Sequence, residues 1–203
     1  MGWANRITVA RAVLTLGLWG LIIYGADRTD EGIWLWCFGI FTFAAVTDVV
    51  DGYLARSLGD VSVFGRIADP LVDKMLTIGT LIVLLAAPHT RPWLPAWMVA
   101  LIFSREILVT AIRGQIEGAG VNFQAIWWGK YKMLAQCLAI GGLLLCGAGV
   151  AWTRDELPFL AWLPGPAGTW NVTHVMVWVA TILTVASGVV YALRARDVLR
   201  DAD

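Results

Sequence analysis

Six apolar segments divide the chain. They run near 7–26, 33–54, 67–87, 93–113, 127–151 and 172–193. Each is long enough to cross a hydrocarbon core of about 30 Å, which takes roughly 20 mostly apolar residues. The loops between them are short, and no internal repeat is visible. The pattern therefore predicts a single all-α integral membrane domain over 1–203, with six transmembrane helices.

Composition supports this prediction and excludes an ordinary soluble domain. Hydrophobic residues make up 59% of the 203 residues, charged residues only 15%, and the mean hydropathy is +0.71. Soluble domains carry about 25% charged residues.

The basic residues are distributed unevenly once the six segments are numbered. Twelve of the 15 fall on one side: Arg6, Arg11, Arg56, Arg66, Lys74, Arg105, Arg113, Lys130, Lys132, Arg194, Arg196 and Arg200. Only Arg28, Arg91 and Arg154 fall on the other. Because basic loops stay on the cytoplasmic side, we expect a multi-pass protein of the cytoplasmic (inner) membrane with both termini in the cytoplasm. A cleaved signal peptide in place of the first helix is the alternative for that segment.

Four aspartates lie where the second and third segments meet the cytoplasmic loop. Asp48 and Asp51 end the second segment, and Asp69 and Asp73 begin the third. An unpaired charge in the bilayer core costs roughly 2.5 to 3.5 kcal/mol, so acids this close together need a compensating ligand. Ion pairing with neighbouring basic residues could explain any single aspartate, but does not explain the set.

The spacing of these acids places them on helix faces together with small residues. Positions 48, 51, 52, 55 and 56 share one stripe of an α-helix, and positions 65, 69 and 73 share another. Pro70 leaves two possibilities for the third segment: Asp69 caps a helix with proline in its first turn, or proline lies inside a helix begun near Gly65. In both, Asp69 and Asp73 stay about one turn apart.

Oxygen ligands without nearby histidine or cysteine favour a hard divalent cation. Mg²⁺, Mn²⁺ and Ca²⁺ all fit such ligands, and we expect Mg²⁺ or Mn²⁺. Four carboxylates, Asp48, Asp51, Asp69 and Asp73, can hold two ions. A pair of such cations suits phosphoryl chemistry, because it neutralises the phosphate being transferred and its leaving group.

The same residues carry a resemblance to a known family. The run from Asp48 to Asp73 fills every fixed position of D-x2-D-G-x2-A-R-x8-G-x3-D-x3-D, the motif of the CDP-alcohol phosphotransferase family. The resemblance implies transfer of a substituted phosphate from a CDP-linked donor to an alcohol, with release of CMP. It also implies a six-helix fold and a homodimer.

The resemblance further implies roles for individual residues. Asp73 would act as general base on the acceptor hydroxyl and complete the metal site. The donor would be bound by four other positions of the motif: Gly52, Ala55, Arg56 and Gly65. The two small residues of the second segment would give the cytidine close access to the backbone, and the arginine would meet phosphate.

Basic residues in the fourth and fifth segments point to the acceptor. Arg105, Arg113, Lys130 and Lys132 reach the level of the acids and could bind an anionic alcohol; snorkelling to lipid headgroups is the alternative for each of them. The stretches S-R-E-I-x5-R, G-K-x-K-x2-A-Q and N-x2-T-x2-R most resemble the phosphatidylglycerophosphate synthase branch. The implied substrates are CDP-diacylglycerol and glycerol 3-phosphate.

Other readings of the pattern remain open. The acceptor could be inositol phosphate, serine, phosphatidylglycerol or a choline-like alcohol. Prenyl transfer also uses aspartate clusters, but these usually come as two Asp-rich repeats. A cation transporter would place its acids near the middle of the bilayer. Membrane lipid is the expected surrounding, and no nucleic-acid partner is expected.

Overall fold

A computed structural model describes residues 3–28, 30–58, 63–118, 127–148 and 172–200, and every regular element in these ranges is helical. The long helices are α1 (Trp3–Gly25), α2 (Glu31–Leu58), α5 (Ala96–Gly118), α6 (Trp127–Gly147) and α7 (Val172–Arg200). Between α2 and α5 lie α3 (Val63–Lys74), a π-helical turn (Met75–Gly79), α4 (Thr80–Leu84) and a 3₁₀ turn (Pro88–Thr90). The all-α prediction is confirmed.

Each predicted apolar segment overlaps a helix or, for the third, the continuous helical stretch 63–84, and residues 149–151 of the fifth lie outside the described part. By length and composition, the described part of the chain has two helices that could cross a membrane, Arg6–Gly25 and Val172–Arg196. The six-span topology and the cytoplasmic position of the termini stay predictions.

The third segment shows how a proline is accommodated. Pro70 lies inside α3, which begins at Val63, so the second of the two predicted arrangements is the one present. Five residues after this proline, at Met75, the helix widens into the π-helical turn. Such π-helical turns occur often at functional sites, and this one begins two residues after Asp73.

The core is formed where the helices cross. Helix α6 packs along α7, α1 along α2, and α5 against α7, while α2 also contacts α6. The largest fully buried side chains include Leu18, Trp34, Met98, Ile140 and Leu143. Many large apolar side chains remain exposed around the bundle, among them Val13, Trp36, Phe43, Leu71 and Ile182. Soluble monomers rarely expose apolar surface on this scale.

Glycines allow two tryptophans to enter the core. A Cβ atom added at Gly79 would clash with the indole of Trp19, and one added at Gly147 would clash with Trp34. The indole Nε1 of Trp19 donates to Thr80 Oγ1 at 3.2 Å, which fixes α1 against α4.

The loop between the third and fourth segments packs on Trp34. The ring of His89 meets this indole edge-on, with centroids 4.2 Å apart. Burial lowers the pKa of His89 below its ordinary value of 6.5, because desolvation disfavours the charged imidazolium.

Candidate active site

Helix α1 holds two of the predicted metal ligands. The hydroxyl of Thr8 donates to Asp69 Oδ1 at 2.6 Å, and Arg11 Nη1 forms an ion pair with Asp48 Oδ1. Thr8 and Arg11 lie three residues apart and so share one face of α1. Because α1 packs against both α2 and α3, this face holds one aspartate from each of the two motif helices.

Asp73 lies one turn after Asp69. Its Oδ1 atom is buried and has no hydrogen-bond partner among the residues that the structure describes. The carboxyl group interacts electrostatically with Asp48, Glu106 and Lys132. A buried carboxylate oxygen without a partner is costly unless a ligand satisfies it, so Asp73 has the properties of a group that receives a cation or a proton.

Several predicted site residues lie on described helices, but their side chains lie outside the part that the structure describes. These are Asp51, Gly52, Ala55 and Arg56 in α2, Gly65 in α3 and Lys130 in α6. Among the described side chains, no group of three or more His, Cys, Asp or Glu is close enough to hold a metal ion. The four-carboxylate metal site and the donor-binding residues therefore stay predictions.

The predicted acceptor residues separate into two kinds of environment. Arg105 is buried, Lys132 is partly buried, and both contact the carboxylate of Glu106. Arg113, two turns further along α5, is exposed. The structure thus brings Arg105 and Lys132 together on one carboxylate, and Lys132 also interacts electrostatically with Asp73. Binding of an acceptor phosphate by these residues stays a prediction.

Helix α7 contributes polar contacts to the same region. Arg105 Nη2 donates to Ser187 Oγ at 2.8 Å, and its guanidinium carbon lies 5.8 Å from the ring centroid of Tyr191. One turn away, Gln136 Nε2 donates to Thr184 Oγ1 at 3.1 Å. Together these bonds connect α5, α6 and α7 through polar side chains in an otherwise apolar interior.

Sequence reasoning did not assign site positions to Thr8, Arg11, Glu106 or Ser187. Thr8 and Arg11 enter the sequence pattern only through the stretch N-x2-T-x2-R, although their spacing on an apolar helix predicts a shared polar face. Glu106 enters the sequence pattern only as the glutamate of S-R-E-I-x5-R. Ser187 carries little signal, since serine occurs commonly in apolar membrane helices.

Comparison with known proteins identifies the family of the chain and several relatives. A profile described as CDP-alcohol phosphatidyltransferase matches residues 1–186. A Bacillus subtilis (strain 168) protein named CDP-diacylglycerol–glycerol-3-phosphate 3-phosphatidyltransferase is 37% identical, over 98% of this chain and 97% of its own length. Proteins of the same name from Haemophilus influenzae and Cereibacter sphaeroides are 33% and 28% identical. The former alignment covers 80% of this chain and 78% of the relative, and the latter 99% of each.

Proposed function

We propose that this chain, which belongs to the CDP-alcohol phosphatidyltransferase family, transfers the phosphatidyl group of CDP-diacylglycerol to glycerol 3-phosphate. The products would be phosphatidylglycerol phosphate and CMP. Similarity to relatives named for this reaction extends over most of the chain. The structural observation that supports the proposal is the position of Asp73, which interacts electrostatically with both Asp48 and Lys132.

The proposed site would hold two divalent cations, either Mg²⁺ or Mn²⁺. Their ligands would be the four motif carboxylates, Asp48, Asp51, Asp69 and Asp73. The buried and unpartnered Oδ1 of Asp73 fits this use, and so does a set of carboxylate oxygens without nitrogen or sulfur ligands. When bound, the ions would neutralise phosphate charge and make a nearby hydroxyl easier to deprotonate.

The side chains would divide the remaining work between the two substrates. Gly52 and Ala55 would leave room for the cytidine beside α2, Gly65 would permit close approach at α3, and Arg56 would bind donor phosphate. Asp73 would accept the proton of the acceptor hydroxyl. The acceptor oxygen then forms a bond to the β-phosphorus of the donor, and the bond from that phosphorus to the oxygen of CMP breaks.

The acceptor phosphate would be bound by Arg105, Lys132, Lys130 and Arg113. Arg105 and Lys132 are the best supported of these, since both lie close to Glu106 and Lys132 also interacts electrostatically with Asp73. A phosphorylated acceptor bound here would bring its hydroxyl within the region of the general base. An acceptor without an anionic group would leave these cations without a substrate role.

The apolar helices and the family membership indicate a membrane protein. We propose six spans in the cytoplasmic (inner) membrane, with both termini and the active site on the cytoplasmic side, because the basic residues collect there. Cytoplasmic glycerol 3-phosphate would then reach the site directly. We further propose that the chain forms a homodimer.

The deciding experiment measures CMP release by the purified, detergent-solubilised protein from CDP-diacylglycerol and a panel of acceptors. Turnover should require glycerol 3-phosphate, stop in EDTA and return with Mg²⁺ or Mn²⁺. Turnover with inositol phosphate, serine or phosphatidylglycerol but not with glycerol 3-phosphate would refute the acceptor assignment. Full activity after removal of divalent cations would refute the metal assignment.

A further inference from the structure

One buried carboxylate joins the two basic residues of the proposed acceptor site. Glu106 is 7% exposed, and its Oε1 atom accepts a hydrogen bond from Arg105 Nη1 at 2.5 Å and another from Lys132 Nζ. Arg105 and Glu106 are consecutive residues of α5, whereas Lys132 lies on α6. The carboxylate therefore joins the two helices at the level of Asp73.

Among the three side chains in contact, one carboxylate faces the buried Arg105 and the partly buried Lys132, so one positive charge is left over. Asp73 is a further carboxylate that interacts electrostatically with Lys132, but in the proposed site its charge is directed to the metal ions. A buried positive charge is tolerated when a ligand of opposite charge completes it. An anionic acceptor would supply that charge, while Glu106 would prevent repulsion between the two cations in its absence.

One N–H group of Arg105 has no hydrogen-bond acceptor among the described residues. Its Nη1 and Nη2 atoms are engaged by Glu106 and Ser187. Its Nε atom is buried without a hydrogen-bond partner in the part of the chain that is described, and the residue is only 9% exposed. Buried guanidinium groups normally have their N–H groups satisfied, so this atom is an independent indication of a ligand.

We propose that Glu106 is a positioning residue for the acceptor, which holds Arg105 and Lys132 together so that both meet the phosphate of glycerol 3-phosphate. This inference rests on the proposed function and adds to it a residue that touches neither substrate. Glu106 sets the separation of the two cations, and Ser187 fixes the guanidinium from the side of α7. The residues proposed to bind the donor lie on other helices, α2 and α3, so we expect the change to act on the acceptor.

The test compares Glu106→Ala, Glu106→Gln and a control, Gln136→Met, in CMP-release kinetics. Gln136 is a suitable control because it is buried on α6 one turn from Lys132 and bonds α7 without touching Glu106. We expect Glu106→Ala to raise the KM for glycerol 3-phosphate about 10-fold or more, as loss of supporting contacts commonly does, with an unchanged KM for CDP-diacylglycerol. Glu106→Gln keeps an acceptor oxygen and should recover part of the loss.

A purely structural role predicts a different result. All three variants would then lose thermal stability to a similar degree, and any loss of activity would affect both substrates equally or follow the fraction of folded protein. That outcome would overturn the inference. If a variant has too little activity for kinetics, ligand-induced stabilisation is measured instead. Glycerol 3-phosphate should raise the unfolding temperature of the wild type and of Gln136→Met, but not that of Glu106→Ala.

Failure of this inference is distinguishable from failure of the proposed function. If the wild type does not release CMP with glycerol 3-phosphate, the acceptor assignment itself is wrong. If the wild type is active but Glu106→Ala keeps its KM for glycerol 3-phosphate, only the role of Glu106 is refuted.

Discussion

Substitution of Gly188 by alanine is expected to weaken acceptor binding without changing any charge. Gly188 lies on α7 directly beside the stem of Arg105. A Cβ atom added there would lie 2.8 Å from Arg105 Cγ and 3.3 Å from Nε. Carbon atoms in contact normally stay about 3.5 Å apart, so the stem would have to move by about 0.7 Å.

This displacement is large enough to matter for catalysis. The guanidinium is held by Glu106 on one side and Ser187 on the other, so the stem cannot move without disturbing at least one of these bonds. Misplacement of a substrate-positioning group by 1 Å can cost about 10²-fold in rate. We therefore expect the kcat/KM for glycerol 3-phosphate to fall about 10- to 100-fold, mainly through KM.

The assay measures CMP release at saturating CDP-diacylglycerol with glycerol 3-phosphate varied, and then with the roles reversed. Gly39→Ala is the matched control, because it is also a helical glycine but an added Cβ would meet nothing within 4 Å. Both changes raise helix propensity by about 1 kcal/mol, so they differ mainly in contact with Arg105. An unchanged KM for glycerol 3-phosphate in folded Gly188→Ala would refute the placement of Arg105 at the acceptor.

Three further predictions concern other parts of the molecule. Asp73→Asn should lower kcat about 10²- to 10⁴-fold in CMP-release assays while the unfolding temperature is kept, and full turnover would remove Asp73 as the base. Thr8→Val removes the 2.6 Å bond to Asp69 and should raise the Mg²⁺ concentration that gives half-maximal activity, whereas Thr8→Ser should restore it; an unchanged metal requirement would exclude the link. The native state binds the His89 proton less readily than the unfolded chain, so the unfolding temperature should fall as pH drops below 6.5, and His89→Gln should flatten this decline; identical pH profiles would contradict it.

The positions of the helices followed from hydrophobic length, and the grouping of acids followed from spacing along a helix. Both are local properties, because a helix repeats every 3.6 residues wherever it packs. Local sequence does not decide between the two predicted arrangements of Pro70. The choice depends on whether neighbouring helices support the freed carbonyl, and so the two arrangements could not be separated from sequence.

Contacts between polar residues on different helices could not be predicted from the sequence, for a related reason. Glu106 and Lys132 are in contact although 26 positions separate them in the sequence, and Arg105 and Ser187 are in contact although 82 positions separate them. Such pairs depend on how α5, α6 and α7 are arranged, which hydrophobic length does not specify. The π-helical turn after Asp73 was missed because its apolar residues fit an α-helical pattern equally well.

The contacts of the aspartates indicate a division of labour within the proposed metal site. Asp48 and Asp69 are each held through Oδ1 by a side chain of α1, Arg11 and Thr8 respectively. Ligands that are fixed in this way keep their orientation when a cation binds or leaves. Asp73 differs, since its Oδ1 atom is buried and meets no donor among the described residues. A carboxylate oxygen that gave its lone pairs to a neighbouring donor would be a weaker base, so the absence of such a bond suits the one aspartate expected to accept a proton.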